Sequence, residues 1–302
     1  MSGTNEDLIS FYQNSNEREK KQWKRINFTL HSYHFTLINM IITSTSNPRV
    51  KEIRKLRDRK EQKRTGLFYM EGTRIVGEAF EKGAELSTLV VCPELLKTEY
   101  GLELWRKAEK QGLDILEVSQ PVFESLAVKE NPQGLAAAAK ARFYALDDLD
   151  ITHGIIVALT EIADPGNLGT IIRTADAVDA QGVILIGDCT SPYDIGSIRG
   201  TMGAIFSTKI VRTTLPEFLT WKQRTGLQLV GTSDKSATDY VSINYANPVI
   251  LLMGSERAGM SPEEFAACDE VAAIPMMRSS DSLNLAVATG VMLYQIFNSH
   301  RG

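Results

Sequence analysis

A chain of 302 residues, 43% hydrophobic and 23% charged, has room for two domains and a sizeable core. Three cysteines without a CxxC pair and four scattered histidines exclude a disulfide framework and a clustered zinc site, and no apolar run reaches the roughly 18 to 20 residues of a membrane-spanning helix. A net charge of −4 excludes a surface that is basic throughout, so attraction for nucleic acid would have to come from a local patch.

Residues 1–39 are polar and lack sustained periodicity, and are expected to be a disordered extension. Organised patterning begins just after Met40, which makes Met40 a candidate natural start. The amino terminus has no compact basic-then-apolar leader pattern, and the isolated cysteines suit a reducing compartment, so a cytoplasmic protein is expected.

The run "RVKEIRKLRDRKEQKR" (49–64) is the local basic patch. Val50, Ile53 and Leu56 recur in it at helical spacing, so one face can pack while Arg49, Arg54, Lys55 and Arg59 project charge. A solvated helix face and a phosphate-binding face both satisfy that pattern. Strand-like "LFYM", "TLVVCP", "DILEVS" and "GLAAAA" then alternate with helix-like "TRIVGEAFEKG" and "LELWRKAEKQG", each helix closed by a glycine. Residues 40–143 therefore read as a small α/β domain, and "RFYALDDLDITHG" (142–154) as a linker without strong periodicity.

In the second domain, residues 144–302, the runs "IIVALT", "GVILIG", "STKIVR", "LQLVGTS", "VILLMG" and "VAAIPM" are separated by helical stretches such as "LGTIIRTADAVDA". The last helical stretch is "LNLAVATGVMLYQIFN". Near-continuous apolar strands alternating with helices predict a mostly parallel sheet covered on both faces, with ligands at the carboxyl ends of its strands.

That rule draws attention to the loops after the strands. Neither GxGxxG nor GxxxxGK[ST] occurs, which speaks against a dinucleotide site and a phosphate loop of the usual kinds. Gly166 and Gly169 around Asn167, or Gly254 and Gly259 around Glu256, would each suit an ordinary tight turn. In "IPMMRSSDSLNLAVATG" (274–290), polar residues interrupt an apolar stretch, and Ser280, Asp281 or Ser282 could cap the final helix.

The ordered set "DPGNLGTIIRTADA", "VILLMGSERAGMS" and "IPMMRSSDSLNLAVATGVMLYQ" is far more specific than its parts. It closely resembles the three motifs of the SpoU (TrmH-like) RNA methyltransferases of the SPOUT superfamily, and the resemblance spans roughly 152 to 299. The stretch beginning "SNPRVKEIRKL" is similar to the amino-terminal substrate-binding domain that many members carry.

The resemblance implies a carboxy-terminal trefoil knot, a homodimer, S-adenosylmethionine as cofactor, no metal, and methyl transfer to a ribose 2'-hydroxyl of RNA. Ribosomal RNA is the leading substrate; transfer RNA, or a noncatalytic RNA- or ribosome-binding role, are the alternatives. Thr232, Gly254, Gly259, Ile274, Met276 and Leu283 are expected to hold the cofactor through backbone and apolar contact. Arg173 is expected to orient the substrate phosphate, since a planar guanidinium stays charged near neutral pH and offers a fork of donors. Asn167 would set the loop that presents Arg173, Glu256 would pair with Arg173 or Asn167, and Ser282 and Asn284 would bracket the acceptor hydroxyl.

Overall fold

The computed structural model describes residues 41–128, 130–277 and 282–301. The chain divides into a unit up to Ile42 and a unit from Thr43 onward, and both of its sheets belong to the second unit. The expected extension 1–39 and Met40 lie outside the described residues.

The basic run folds into two short helices rather than one. Helix α1 (Pro48–Lys55) starts with a proline in its first turn and with the Asn47 side chain accepting the Arg49 N–H, and it buries Val50 and Ile53. Leu56–Asp58 breaks the helix. The Asp58 carboxylate then accepts from Lys60 N at 2.7 Å to start α2 (Arg59–Thr65), which ends on Gly66 in the left-handed region.

A four-stranded sheet follows: β1 (Leu67–Glu71), β2 (Leu86–Val91), β3 (Asp114–Glu117) and β4 (Leu135–Lys140), in spatial order β1-β4-β2-β3. Strand β4 runs antiparallel to both neighbours, whereas β2 and β3 are parallel. The helices are α3 (Thr73–Glu81), α4 (Glu99–Lys110) and α5 (Gln120–Leu126).

The second sheet has six parallel strands: β5 (Ile155–Thr160), β6 (Gly182–Ile186), β7 (Ile210–Thr213), β8 (Gln228–Thr232), β9 (Val249–Met253) and β10 (Glu270–Ala272). Their order is β10-β8-β9-β5-β6-β7. Strands β5, β6 and β9 are buried along nearly their whole length, as continuous apolar runs require when both faces are covered. Helices α6 (Pro165–Ala177), α7 (Ile195–Thr201) and α10 (Leu285–Ser299) join the core on one face, and α8 (Leu215–Thr225) covers the other with Phe218 and Trp221. Helix α9 (Pro262–Ala267) precedes β10. The chain winds outward from β5 to β7 and then places β9 on the other side of β5, so the crevice between the β5 and β9 ends is a topological switch point.

The expected linker is not slack chain. Tyr144 bridges to Val211 and donates its N–H to Ile210 O at 2.9 Å, extending the β7 edge, and Leu149 is buried. Its elements are too short to produce a periodic pattern. Of "VAAIPM", only the first two residues lie in a strand. The path expected to form the knot includes residues 278–281, outside the described residues.

Candidate active site

Strand β5 delivers the chain to Glu161, held at φ 47°, and on to Asp164, the amino cap of α6. The Asp164 side chain accepts from Asn167 N at 2.7 Å, and Pro165 occupies a first-turn position where an N–H would have no partner. This cap engages the Asn167 backbone amide and leaves its side chain available for the neighbouring loop.

That loop follows β9. Ser255 and Gly259 exchange backbone hydrogen bonds of 2.9 and 3.0 Å, closing a tight turn with Glu256 inside it. A Cβ on Gly254 would lie 2.4 Å from Gly259 C and Met260 N, so the turn can close only over a glycine. Gly259, at φ 69°, supplies the left-handed residue.

Glu256 fastens the two loops together. One carboxylate oxygen accepts from Ala163 N (3.3 Å) and Asp164 N (3.2 Å), and the other accepts from Asn167 Nδ2 at 2.6 Å. Asn167 Oδ1 in turn accepts from Asn284 Nδ2 at 3.0 Å. Asn284 is the amino cap of α10, its Oδ1 accepting from Ala286 N and Val287 N. The cap thus falls on Asn284 rather than on Ser282; Ser280 and Asp281 lie outside the described residues. Glu256, Asn167 and Asn284 form one hydrogen-bonded chain through three loops far apart in sequence.

Of the two partners expected for Glu256, the structure joins it to Asn167. Arg173 lies on α6 six residues beyond Asn167, is exposed, and makes no hydrogen bond or ion pair among the described residues. Ser282 is exposed two residues before Asn284.

The cofactor set is partly gathered. Thr232 and Gly254 stand at or just beyond the carboxyl ends of the adjacent strands β8 and β9, and Ile274 lies two residues beyond β10. Thr232 donates its hydroxyl toward Leu252 O at 3.5 Å, and Ser233 N donates to Ala272 O at 2.9 Å, tying the three strand ends together. Ile274 packs against the core, Leu283 is half-buried, and Met276 is exposed. The Cys92, Cys189 and Cys268 thiols are all pushed up by burial, Cys268 to about 11, so none is a thiolate at neutral pH.

One buried acid escaped the sequence reading. Glu264, 1% exposed, bonds the Thr160 hydroxyl at the end of β5 and accepts from Ser261 N at 2.6 Å, fixing β5 against the loop after β9. The Ser-x-x-Glu capping box at 261–264 was the available signal; the bond to Thr160 had none.

The basic residues have diverged in role. Arg49 pairs with Asp114. Arg54 donates to Ser125 Oγ at 2.7 Å, joining α1 to α5. Arg59 reaches Asp188 (3.2 Å) and Cys189 O (3.1 Å) in the loop after β6. Lys55 is exposed and unpaired among the described residues.

Residues 154–294 match the SpoU rRNA Methylase family, and residues 47–137 match the MRM3-like substrate binding domain. The chain is 31% identical over 247 residues to the 23S rRNA (uridine(2479)-2'-O)-methyltransferase of Streptomyces viridochromogenes, covering 80% of this chain and 85% of that one. It is 28% identical over 255 residues to the 23S rRNA (guanosine(2553)-2'-O)-methyltransferase RlmP of Bacillus subtilis, covering 84% and 98%. The solved structure of an AdoMet-bound rRNA methyltransferase from Sinorhizobium meliloti matches with a TM-score of 0.79 at 37% identity, covering 85% of this chain and 97% of that one. With the loop geometry and these relatives in agreement, the chain belongs to the SpoU rRNA methylase family.

Proposed function

We propose that the protein transfers a methyl group from S-adenosylmethionine to a ribose 2'-hydroxyl of ribosomal RNA. The carrying observation is the Glu256–Asn167–Asn284 chain, which brings the three motif loops to one place and leaves Arg173 exposed and uncommitted.

The residues fit the cofactor. The loop at Gly254–Gly259 is folded so closely that a side chain at Gly254 would fill it, Thr232 ends the adjacent strand β8, and Ile274, two residues beyond β10, packs against the core. When bound, S-adenosylmethionine would supply a methyl group carried on a positively charged sulfur. The chain's own contribution is alignment, since effective molarity rises steeply when reacting groups are held in attack geometry. Arg173 takes the neighbouring phosphate and steadies charge near the oxygen. Asn167, held at both ends of its amide, fixes the start of the helix that carries Arg173. Ser282 and Asn284 border the acceptor hydroxyl. Met276 and Leu283 close the apolar side of the cofactor site.

The reading extends to the rest of the molecule. Residues 40–143 select the RNA, with Lys55 and its uncommitted neighbours Lys51, Lys60 and Lys63 meeting phosphates, while Arg49, Arg54 and Arg59 contribute what their internal pairs leave free. Residues 144–302 perform the transfer. Val287 and Tyr294, exposed at 53% and 47% and one heptad apart on α10, support a homodimer. No helix among the described residues is long and apolar enough to cross a membrane, in keeping with work on RNA in the cytoplasm.

The test is to incubate the protein with methyl-labelled cofactor and unmodified ribosomal or transfer RNA, then map 2'-O-methylation. Label in ribosomal RNA is expected, with Arg173→Ala lowering turnover by at least ~100-fold while cofactor affinity stays within about twofold. Label confined to transfer RNA would move the substrate. Full activity in the alanine variant would remove Arg173 from its role.

A further inference from the structure

A cleft of about 520 Å³, within the usual range of roughly 300 to 1,000 Å³ for ligand sites, opens where the two sheets' helices meet. Gly72, Arg74, Ile75 and Gln133 form the wall on the β1–α3 side, and Gly196, Arg199, Gly200 and Met202 form the α7 wall. None of the proposed cofactor or catalytic residues lines it.

The cleft lining carries one carboxylate and two guanidinium groups. Glu71 is 6% exposed; one of its oxygens accepts from Val128 N at 2.8 Å and the other is buried without a partner among the described residues. The exposed charged groups of the lining are Arg74 and Arg199, and neither guanidinium has an acceptor among the described residues. Elsewhere in the protein the guanidinium groups of Arg49, Arg54, Arg59, Arg64, Arg106 and Arg224 all find acceptors. Arg74 and Arg199, like Arg173 on α6, have no such acceptor among the described residues, and these two share one cleft. Gln133 adds a donor: its Oε1 accepts from Thr73 N and Oγ1, which leaves its own amide N–H groups without a partner among the described residues.

The α7 wall is mechanically linked to the transfer site. Gly200 packs directly on Gly169 of α6, one helical turn before Arg173.

We infer that the cleft is a phosphate-binding subsite for the RNA strand, in which Arg74 from the first sheet's side and Arg199 from the second grip the backbone together. The inference rests on the proposed RNA-methylating function and names where that RNA is held. Arginine suits the task because its fork can take two phosphate oxygens at once.

The experiment compares the wild type, the Arg74→Ala/Arg199→Ala double variant and the Arg74→Lys/Arg199→Lys double variant. Each is measured for binding to in vitro-transcribed large-subunit ribosomal RNA across a salt series, for methyl transfer, for cofactor affinity and for thermal unfolding. The alanine pair should weaken RNA binding by roughly tenfold or more and flatten the slope of log affinity against log salt by about 1.4, two contacts at ~0.7 each for single-stranded RNA. KM for RNA should rise more than kcat falls, with unfolding and cofactor affinity unchanged, and the lysine pair should restore most of the salt slope. If the wild type methylates the RNA and the folded alanine pair matches its affinity and slope, the cleft inference falls alone. If the wild type transfers no methyl group to RNA, the functional reading falls and takes the inference with it.

Discussion

The side-chain amide of Asn284 is divided between two tasks. Its oxygen accepts the first N–H groups of α10, and its nitrogen donates to Asn167. Substitutions can separate them. Serine is as good a helix cap as asparagine but cannot reach Asn167 with a nitrogen donor, whereas alanine serves neither task, and loss of a cap costs about 1 kcal/mol. Asn284→Ser should therefore keep wild-type thermal stability yet lower kcat on the order of 10-fold to 100-fold, because the α6 start is no longer tied to the third loop. Asn284→Ala should lose both, by calorimetry and by turnover. A serine variant with full kcat would reduce Asn284 to a cap. The sequence disclosed this residue through the order of the three motifs. It could not disclose that one amide does both jobs, because several serines and an aspartate nearby were equally good caps by residue type and only tertiary contact with Asn167 distinguishes the residue used.

Helices α6 and α7 touch through glycines. A Cβ on Gly169 would lie 2.4 Å from Ser197 O and 2.9 Å from Gly200 Cα, both backbone atoms that no rotamer change can move. Gly169→Ala should force the helices apart, costing about 1 to 3 kcal/mol by denaturant unfolding, and should depress kcat as Arg173, one turn later, shifts with its helix. Unchanged activity would mean that the position of α6 does not matter to turnover. Gly166→Ala is the control, since its Cβ would meet only the Asp164 carboxylate, at 3.1 Å. Elements were legible where apolar spacing was long: the strands "IIVALT", "GVILIG" and "VILLMG" and the final helix stand where their patterns put them. Apolar spacing alone starts α6 at Leu168, but Asp164 and Pro165 set its start at the proline, capping chemistry that periodicity does not register. The basic run likewise divides at Leu56–Asp58, where the apolar spacing of Val50, Ile53 and Leu56 ends and the Asp58 cap starts a second helix that has no apolar residue.

One hydrophobic core runs through both sheets, from Phe68 and Met70 on β1 to Tyr193, Ile198 and Ala204 around α7 and on to Leu293 of α10. Tyr193 is its hinge pin. Its ring lies 4.6 Å from that of Phe68 and 5.4 Å from that of Phe143, while its hydroxyl donates to Arg142 O at 2.6 Å and accepts from Arg142 N at 2.9 Å. Burial pushes that phenol up to about 12, so it remains a neutral donor throughout the physiological range. Chains of this length often unfold in stages, but a shared core predicts that the two sheets melt together. Tryptophans provide the probes, with Trp105 packed beside the first sheet and Trp221 buried behind the second. In Trp23→Phe/Trp221→Phe and Trp23→Phe/Trp105→Phe proteins, which isolate Trp105 and Trp221 respectively, the fluorescence midpoints in urea should coincide. Adding Tyr193→Ala removes about 3 to 5 kcal/mol of ring packing from the seam. The two midpoints should then separate, with the Trp105 signal changing first because the smaller sheet has less core of its own. Distinct midpoints before Tyr193 is altered would mean that the seam does not couple the halves, and that an RNA gripped by one is not held rigidly against the loops of the other.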